Sequence, residues 1–565
     1  MAQLDALIPR TRIAYFSMEI ALQPEMHTYS GGLGVLAGDT ARSCADLEMP
    51  VVFVTLLSRA GFLRQEIDPE GRQIDAPDPW ELDGWVEPLG AKIAVRIEGR
   101  EVWVRPWLHL LKGGTGYLLP VLLLDTDLDE NHAEDRRLTD RLYGGDDAYR
   151  LKQEIVLGIS GVRLLRALGF EIDTYHLNEG HSALLTLELL RRHRLMPEMM
   201  RPGDCIYDTQ EVRQRCVFTT HTPVDAGHDR FPYALVERIL DVGIELEQLK
   251  ILAGEDCLNM TRLALNLSGY VNGVAERHAE TAHRMFPGFR VRAITNGVHA
   301  PTWTCASFAR LYQANFPHWQ HEPEVLVRAD QLTDEAVWEA HLSAKRELLD
   351  RVEAICGVRL DPELPLLGFA RRMTGYKRPE LLFTDLERLP RIVRRWPFQV
   401  VMAGKAHPRD GDGKRLIERL HGDIRQLAGT VPAAFLPNYD MALARYLVSG
   451  VDVWLNTPLP PLEASGTSGM KAAFNGVLNF SVLDGWWIEA WIEGRTGWAI
   501  RDGQFAGHEQ DAVALYDKLE NVILPLYHRD RTGWIWMMKE AISKIAYYFN
   551  SQRMMRRYAS EAYIR

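Results

Sequence analysis

The chain is poor in the features that mark secreted, membrane-bound or nucleic-acid-binding proteins. Its six cysteines, Cys44, Cys205, Cys216, Cys257, Cys305 and Cys356, are scattered over 565 residues. None is spaced as C-x-x-C, so neither a zinc site nor a thiol redox motif is expected, and no metal site is predicted. A chain of this length buries a core without covalent staples, so the cysteines read as thiols of a reducing compartment. No run of about 18 apolar residues is available to cross a membrane. The opening MAQLDALIPRTR has no apolar signal-peptide core. These absences point to the cytoplasm. Basic residues are outnumbered, 65 against 76 acidic, for a net charge of -11. That balance argues against general nucleic-acid binding, which needs a basic footprint, while leaving room for a local cationic pocket around a phosphate.

What is present is an ordinary globular composition, 46% hydrophobic, in a chain long enough for more than one domain. Short apolar, β-branched runs alternate with helical patterns, the pattern of an α/β protein with mainly parallel sheets. The first half offers strands at Arg12–Glu19, Val51–Leu57, Thr174–Asn178, Cys216–His221 and Val291–Asn296. It also offers a helical stretch at Asp147–Phe170 and a hairpin at Lys92–Leu110 turning at Glu98-Gly99-Arg100. The second half offers Leu364–Ala370, Phe398–Ala403, Ala433–Pro437, Val451–Asn456 and Val477–Val482. The join is expected near residues 310–335. Two Rossmann-like domains of this kind would face a central cleft. Open α/β sheets bind ligands beyond the carboxyl ends of their strands, and distinctive polar or glycine clusters follow the strands here: Ser17-Met18-Glu19, Asn178-Glu179-Gly180-His181, Thr220-His221-Thr222, Asn296-Gly297, Arg371-Arg372 and Gly404-Lys405.

Three clusters suggest chemistry. Ser30-Gly31-Gly32-Leu33-Gly34 precedes the helical stretch Val35–Leu47 and reads either as an anion site at a helix N-terminus or as a tight turn. Glu463-Ala464-Ser465-Gly466-Thr467-Ser468-Gly469-Met470-Lys471 follows a strand and a proline-rich stretch and is expected to open a helix at Lys471–Asn475. Its small and hydroxyl residues suit a phosphate, but the spacing is not that of a P-loop. A lysine beside such a cradle can form a Schiff base with a phosphorylated aldehyde, and a cation in the first turn, opposing the helix dipole, is hard to explain as a plain surface lysine. Phe369-Ala370-Arg371-Arg372-Met373-Thr374-Gly375-Tyr376-Lys377-Arg378 sets four cations after an apolar strand, which suits phosphate recognition better than a solvated loop.

The segment from Glu463 to Lys471 resembles the cofactor-lysine motif of the α-glucan phosphorylases (glycogen, starch and maltodextrin phosphorylases). Arg372-Met-Thr-Gly-Tyr-Lys377-Arg378 is similar to the family's phosphate-site motif, and Ser30–Gly34 to its glycine loop. His176–His181, Thr220–Thr222, Thr295–Gly297, Gly404–Ala406 and Leu483–Gly485 fall in matching order. The resemblance implies a GT-B fold with domains at 1–320 and 321–545, and a C-terminal helix, 546–565, returning to the first. It implies reversible phosphorolysis of α-1,4-glucan to α-D-glucose 1-phosphate with retention, assisted by the 5′-phosphate of pyridoxal phosphate bound as a Schiff base to Lys471. By the same resemblance Gly466, Thr467, Ser468, Tyr439 and Arg371 surround the cofactor, and Arg372 and Lys377 bind phosphate. His221 meets the sugar through its carbonyl. Gly31, Gly32, Leu33, His181, Asn296, Glu463, Ala464 and Ser465 contact substrate.

Two departures stand out. Asp440 follows Tyr439 where better-known members carry an arginine that contributes to the phosphate site, and Arg371 replaces a lysine. The start close to the core suggests a short prokaryotic, unregulated type, and the resemblance makes a homodimer the candidate assembly. A nucleotide-sugar-dependent glucan synthase and a non-catalytic glucan-binding protein are the competing expectations.

Overall fold

Two sheets with parallel cores carry the strand–helix alternation. The computed structural model describes residues 2–196, 198, 206–224, 227–503 and 507–564; Cys205 and Arg565, the end of the expected last helix, lie outside them. In the first sheet the strands lie in the order 292–293, 270–273, 216–219, 174–178, 13–16, 51–56, 118–125, 100–112 and 87–88. Those from 292–293 to 118–125 run parallel, with Ile13 opposite Val51 on one side and Thr174 on the other. The expected hairpin forms, Ile93–Ile97 against Arg100–Lys112, around Glu98 and Gly99, both at positive φ. Its second strand runs on to pair antiparallel with Leu118–Asp125. The second sheet is wholly parallel, in the order 433–436, 399–403, 366–370, 453–456, 478–481 and 497–499.

Side chains alternate across the first sheet, as strand geometry requires. Ala14, Phe16, Val52, Val54 and Leu122 pack into one core cluster, while Ile13, Tyr15, Val51, Phe53 and Val121 pack into another. Both faces are therefore buried, which is why these strands read as continuous apolar runs. Most expected strands appear, trimmed at their ends: Leu364–Ala370 becomes Leu366–Ala370, and Cys216–His221 becomes Cys216–Thr219. Val291–Asn296 shrinks to Arg292–Ala293, because the chain leaves the sheet edge to pair near Asn550. Trimming leaves the polar clusters just beyond the carboxyl ends of their strands. Val298, Trp303, Phe308, Tyr312 and Trp319 pack in the core cluster of the second sheet.

The last helix, Ser551–Tyr558, returns to the first sheet. Met554, Met555 and Tyr558 join Leu36, Ala37 and Cys44 of the helix Gly32–Asp46 in covering one face. The Tyr558 hydroxyl lies 3.1 Å from Thr219 Oγ1 and accepts from Asn272 Nδ2 at 2.9 Å. The halves also meet at a short hairpin, Arg64–Ile67 and Gln73–Ala76. There Gln65 Nε2 donates to the Gly404 carbonyl, Asn438 N–H donates to Gln65 Oε1, and Gln73 exchanges bonds with Ala406. Among the described residues no helix is long and apolar enough to cross a membrane. Tyr558→Phe removes a buried hydroxyl and strips partners from Thr219 and Asn272. It is expected to cost about 1–3 kcal/mol, read as a lower urea midpoint of the full chain.

Candidate active site

The second sheet delivers the cations. Arg371 follows the strand Leu366–Ala370, and Lys377 lies in the short helical turn after it. Both converge on Glu463: Arg371 Nη2 reaches Glu463 Oε2 at 2.6 Å and Lys377 Nζ reaches the same oxygen at 2.5 Å. Burial would raise the Glu463 carboxyl, but the two cations outweigh it and hold the group down at about 2. Arg371 Nη1 also donates to Asn456 Oδ1 at 3.0 Å, while its Nε has no partner. The Glu463 N–H donates to Asp484 Oδ2 at 2.9 Å, and burial lifts the Asp484 carboxyl to about 6. Arg371, Asn456, Glu463, Gly466, Ser468 and Asp484 line one narrow cleft. A larger surface groove, about 360 Å³, beside Glu509, Val513 and Asp517 contains none of them.

Gly466 turns the chain at φ 79°, and the helix carrying the lysine runs Ser468–Ala473. The expected start at Lys471 is therefore corrected: Lys471 is its fourth residue, in the last turn, where a cation agrees with the dipole. What sets Lys471 apart is burial. It is 7% exposed, its ammonium donates to no acceptor among the described residues, and it sits 4.0 Å from the centroid of the Trp303 ring. Burial first, and Arg42 second, pull the amine down to about 8, against the opposing pull of Asp39. Thr467 caps the helix only through its backbone, and the Ser468 hydroxyl accepts from Trp454 Nε1 at 3.0 Å.

The first half carries the glycine loop and the two histidines, His181 and His221. Gly31 is the N-cap of the helix Gly32–Asp46. Its N–H and that of Ser30 donate to Glu19 Oε2, at 3.2 and 2.6 Å. The amides of Gly32 and Leu33 keep no acceptor among the described residues, and a Cβ added at Gly31 or Gly32 would meet open space. His221 donates its N–H to Glu179 Oε2 at 2.7 Å and holds Asn178 Oδ1 with Nε2 at 2.6 Å. Burial depresses the His221 ring to about 3, and burial with Arg150 does the same to His181, whose Nδ1 has no partner. Asn296 Oδ1 and Ser465 Oγ are likewise buried without partners.

The structure thus brings Arg371, Lys377, Glu463, Gly466 and Ser468 together. Arg372 is exposed and makes no contact with them, and Arg378 is drawn off to the carbonyls of Thr457 and Pro458 and to Asp511. Tyr439 is half-buried, with burial raising its phenol and Arg371 drawing it back. Asp440 holds the backbone rather than an anion, as the N-cap of the helix Met441–Gly450, where it accepts from Leu443 N–H at 2.7 Å. Sequence reasoning missed Trp303, Asp39 and Arg42. The available signal was a charged pair three residues apart inside the otherwise small and apolar face of Gly32–Asp46.

The protein is thus a two-sheet α/β chain with a buried lysine resting on an indole and, past the strands of the second sheet, a cleft lined by Arg371, Glu463 and Asp484. Residues 243–498 match the family model described as carbohydrate phosphorylase. The chain is 38% identical to the maltodextrin phosphorylase of Thermococcus litoralis, across 98% of this chain and 70% of that protein. It is 37% identical to the glycogen phosphorylase of Aquifex aeolicus, across 98% and 86%, and 36% identical to that of Mycobacterium tuberculosis, across 98% and 71%. The chain belongs to the carbohydrate phosphorylase family, and its α/β fold is of the GT-B type. Asp440→Ala removes a helix cap and is expected to cost about 1 kcal/mol of stability, while Asp440→Asn, which keeps an acceptor, loses little of it. Urea titration of both variants checks this.

Proposed function

We propose that this protein catalyses reversible phosphorolysis of α-1,4-glucan, releasing α-D-glucose 1-phosphate with retention, with pyridoxal 5′-phosphate held at Lys471. The observation that carries the reading is Lys471: a desolvated amine at about 8, lacking an acceptor, on an aromatic floor, one turn after small and hydroxyl residues. These residues fit the cofactor, since a lysine poised near neutrality forms the covalent link that one at its ordinary value resists. When bound, the cofactor supplies a phosphate group that exchanges a proton with the substrate phosphate.

The protein's own groups then bind and orient. Gly466, Thr467 and Ser468 hold the cofactor phosphate, with Tyr439 and Arg371 at its flank. Arg372, with no partner among the described residues, is available to the substrate phosphate, and Lys377 adds its charge from the Glu463 pair. Two such anions at contact repel by about 4 kcal/mol at an effective dielectric near 20, so cations must offset them. The amides of Gly32 and Leu33, at the start of a 15-residue helix, receive developing negative charge as preorganised donors, while Gly31 shapes the loop. His221, its ring fixed by Asn178, turns its carbonyl toward the sugar. Its neutral ring and that of His181 add no charge there. Asn296, Ser465, Ala464 and Glu463 meet glucose hydroxyls, a role supported by the unpartnered Asn296 Oδ1 and Ser465 Oγ. The units 1–320, 321–545 and 546–565, a cytoplasmic location and a homodimer belong to the same proposal.

Incubation of the protein with maltodextrin and inorganic phosphate is expected to release glucose 1-phosphate, and Lys471→Ala to abolish both cofactor attachment and release. Unaltered release by that variant would overturn the reading. Arg372→Ala is expected to lower kcat/KM for phosphate about 10- to 100-fold, the loss of one charge-assisted hydrogen bond. Its melting temperature should stay unchanged, because the side chain is exposed and unpartnered.

A further inference from the structure

The helix that follows the glycine loop buries an ion pair that its packing does not require. Asp39 and Arg42 lie one turn apart on Gly32–Asp46, with side chains 1% and 11% exposed, and Arg42 Nη1 approaches Asp39 Oδ1 at 3.6 Å. Apolar residues of similar volume generally cover a sheet at least as well as a buried ion pair. The pair leads to the lysine instead. Asp39 Oδ2 accepts from Trp303 Nε1 at 2.8 Å, and the face of that indole lies 4.0 Å from Lys471 Nζ. Arg42 is fixed by Nη2, which donates to the carbonyls of Ala21 and Leu22, while its Nη1 has no hydrogen-bond partner.

The consequences for the amine oppose each other. An ammonium over an indole gains about 0.5–2 kcal/mol, and a nearby carboxylate adds to that preference, so Trp303 and Asp39 both favour a protonated lysine. Arg42 and burial favour the neutral form. Among the described residues, the charged groups acting on Lys471 are these two, Asp39 and Arg42, both from the first half of the chain, whereas Lys471 stands in the second. We propose that Asp39 and Arg42 are positioning residues for Lys471: Asp39 fixes the Trp303 indole as the surface on which the lysine rests, and Arg42 offsets the Asp39 charge so that the amine remains able to react. The reactive state of the lysine then depends on the two halves being docked. The inference rests on the reading that Lys471 carries the aldehyde cofactor. In that attachment the neutral amine's lone pair forms the bond to the aldehyde carbon, and the aldehyde oxygen leaves as water with the two amine protons.

The test is attachment, read without turnover. The full chain, freed of bound aldehyde with hydroxylamine, is mixed with pyridoxal 5′-phosphate over a pH series and reduced with borohydride, and labelled Lys471 is quantified by peptide mass mapping. Asp39→Asn keeps an acceptor for the indole but removes the negative charge, so the pH midpoint of labelling should fall by roughly one unit. Arg42→Met removes the opposing cation, so the midpoint should rise by a similar amount, and Arg42→Lys should restore it toward the wild-type value. A purely structural pair would lower the yield of folded protein without moving the midpoints in opposite directions. Midpoints equal to wild type in both Asp39→Asn and Arg42→Met overturn the inference and leave the cofactor reading intact. Absence of label at Lys471 in the wild type overturns the cofactor reading and the inference with it.

Discussion

The arrangement depends on keeping positive charge out of water. Arg371 and Lys377 lie at the carboxyl end of a buried parallel sheet, where desolvation makes lone cations costly. One carboxylate, Glu463, meets both and is itself anchored through its backbone by Asp484. Glu463 therefore settles the charge of the cleft in the absence of ligand. With Glu463 held ionised by both neighbours, the cleft pairs its two cations with one carboxylate.

The second constraint is the meeting of two halves. The glycine loop, Glu179 with His221, and Asp39 come from the first sheet and its helices, while Lys471 and the cations come from the second. Gln65 and Gln73 bond to Gly404, Ala406 and Asn438. The last helix returns to the first sheet, where Tyr558 joins Thr219 and Asn272. Helix Gly32–Asp46 is shared by both requirements: one face lies under the C-terminal helix, and the other reaches Trp303 through Asp39. Loosening either contact would alter the surroundings of Lys471 without touching it.

Much of this was legible in the order of residues. Strand positions followed from apolar runs buried on both faces, and the hairpin at Glu98-Gly99 from two residues suited to positive φ. The polar clusters at Ser17, Thr220, Arg371 and Gly404 fall just past the carboxyl ends of strands in both sheets. Short or edge strands such as Tyr270–Gly273 and Gly497–Ala499 were not legible, because three or four residues carry too little periodicity to separate from a loop. The dipole argument for Lys471 failed because the helix begins at Ser468, and a six-residue helix leaves its fourth position in the last turn.

By itself the sequence determined the α/β class, the polar clusters that follow the strands and the family to which the Glu463–Lys471 motif points, since these depend on local pattern and on residue types set close together along the chain. Only the tertiary structure decided which charges meet. Arg371 and Glu463 are 92 residues apart, and Trp303 and Asp39 are 264 apart. The state of a buried ionisable group is set by neighbours within a few ångströms and by the water excluded around it, and neither is written in the spacing along the chain.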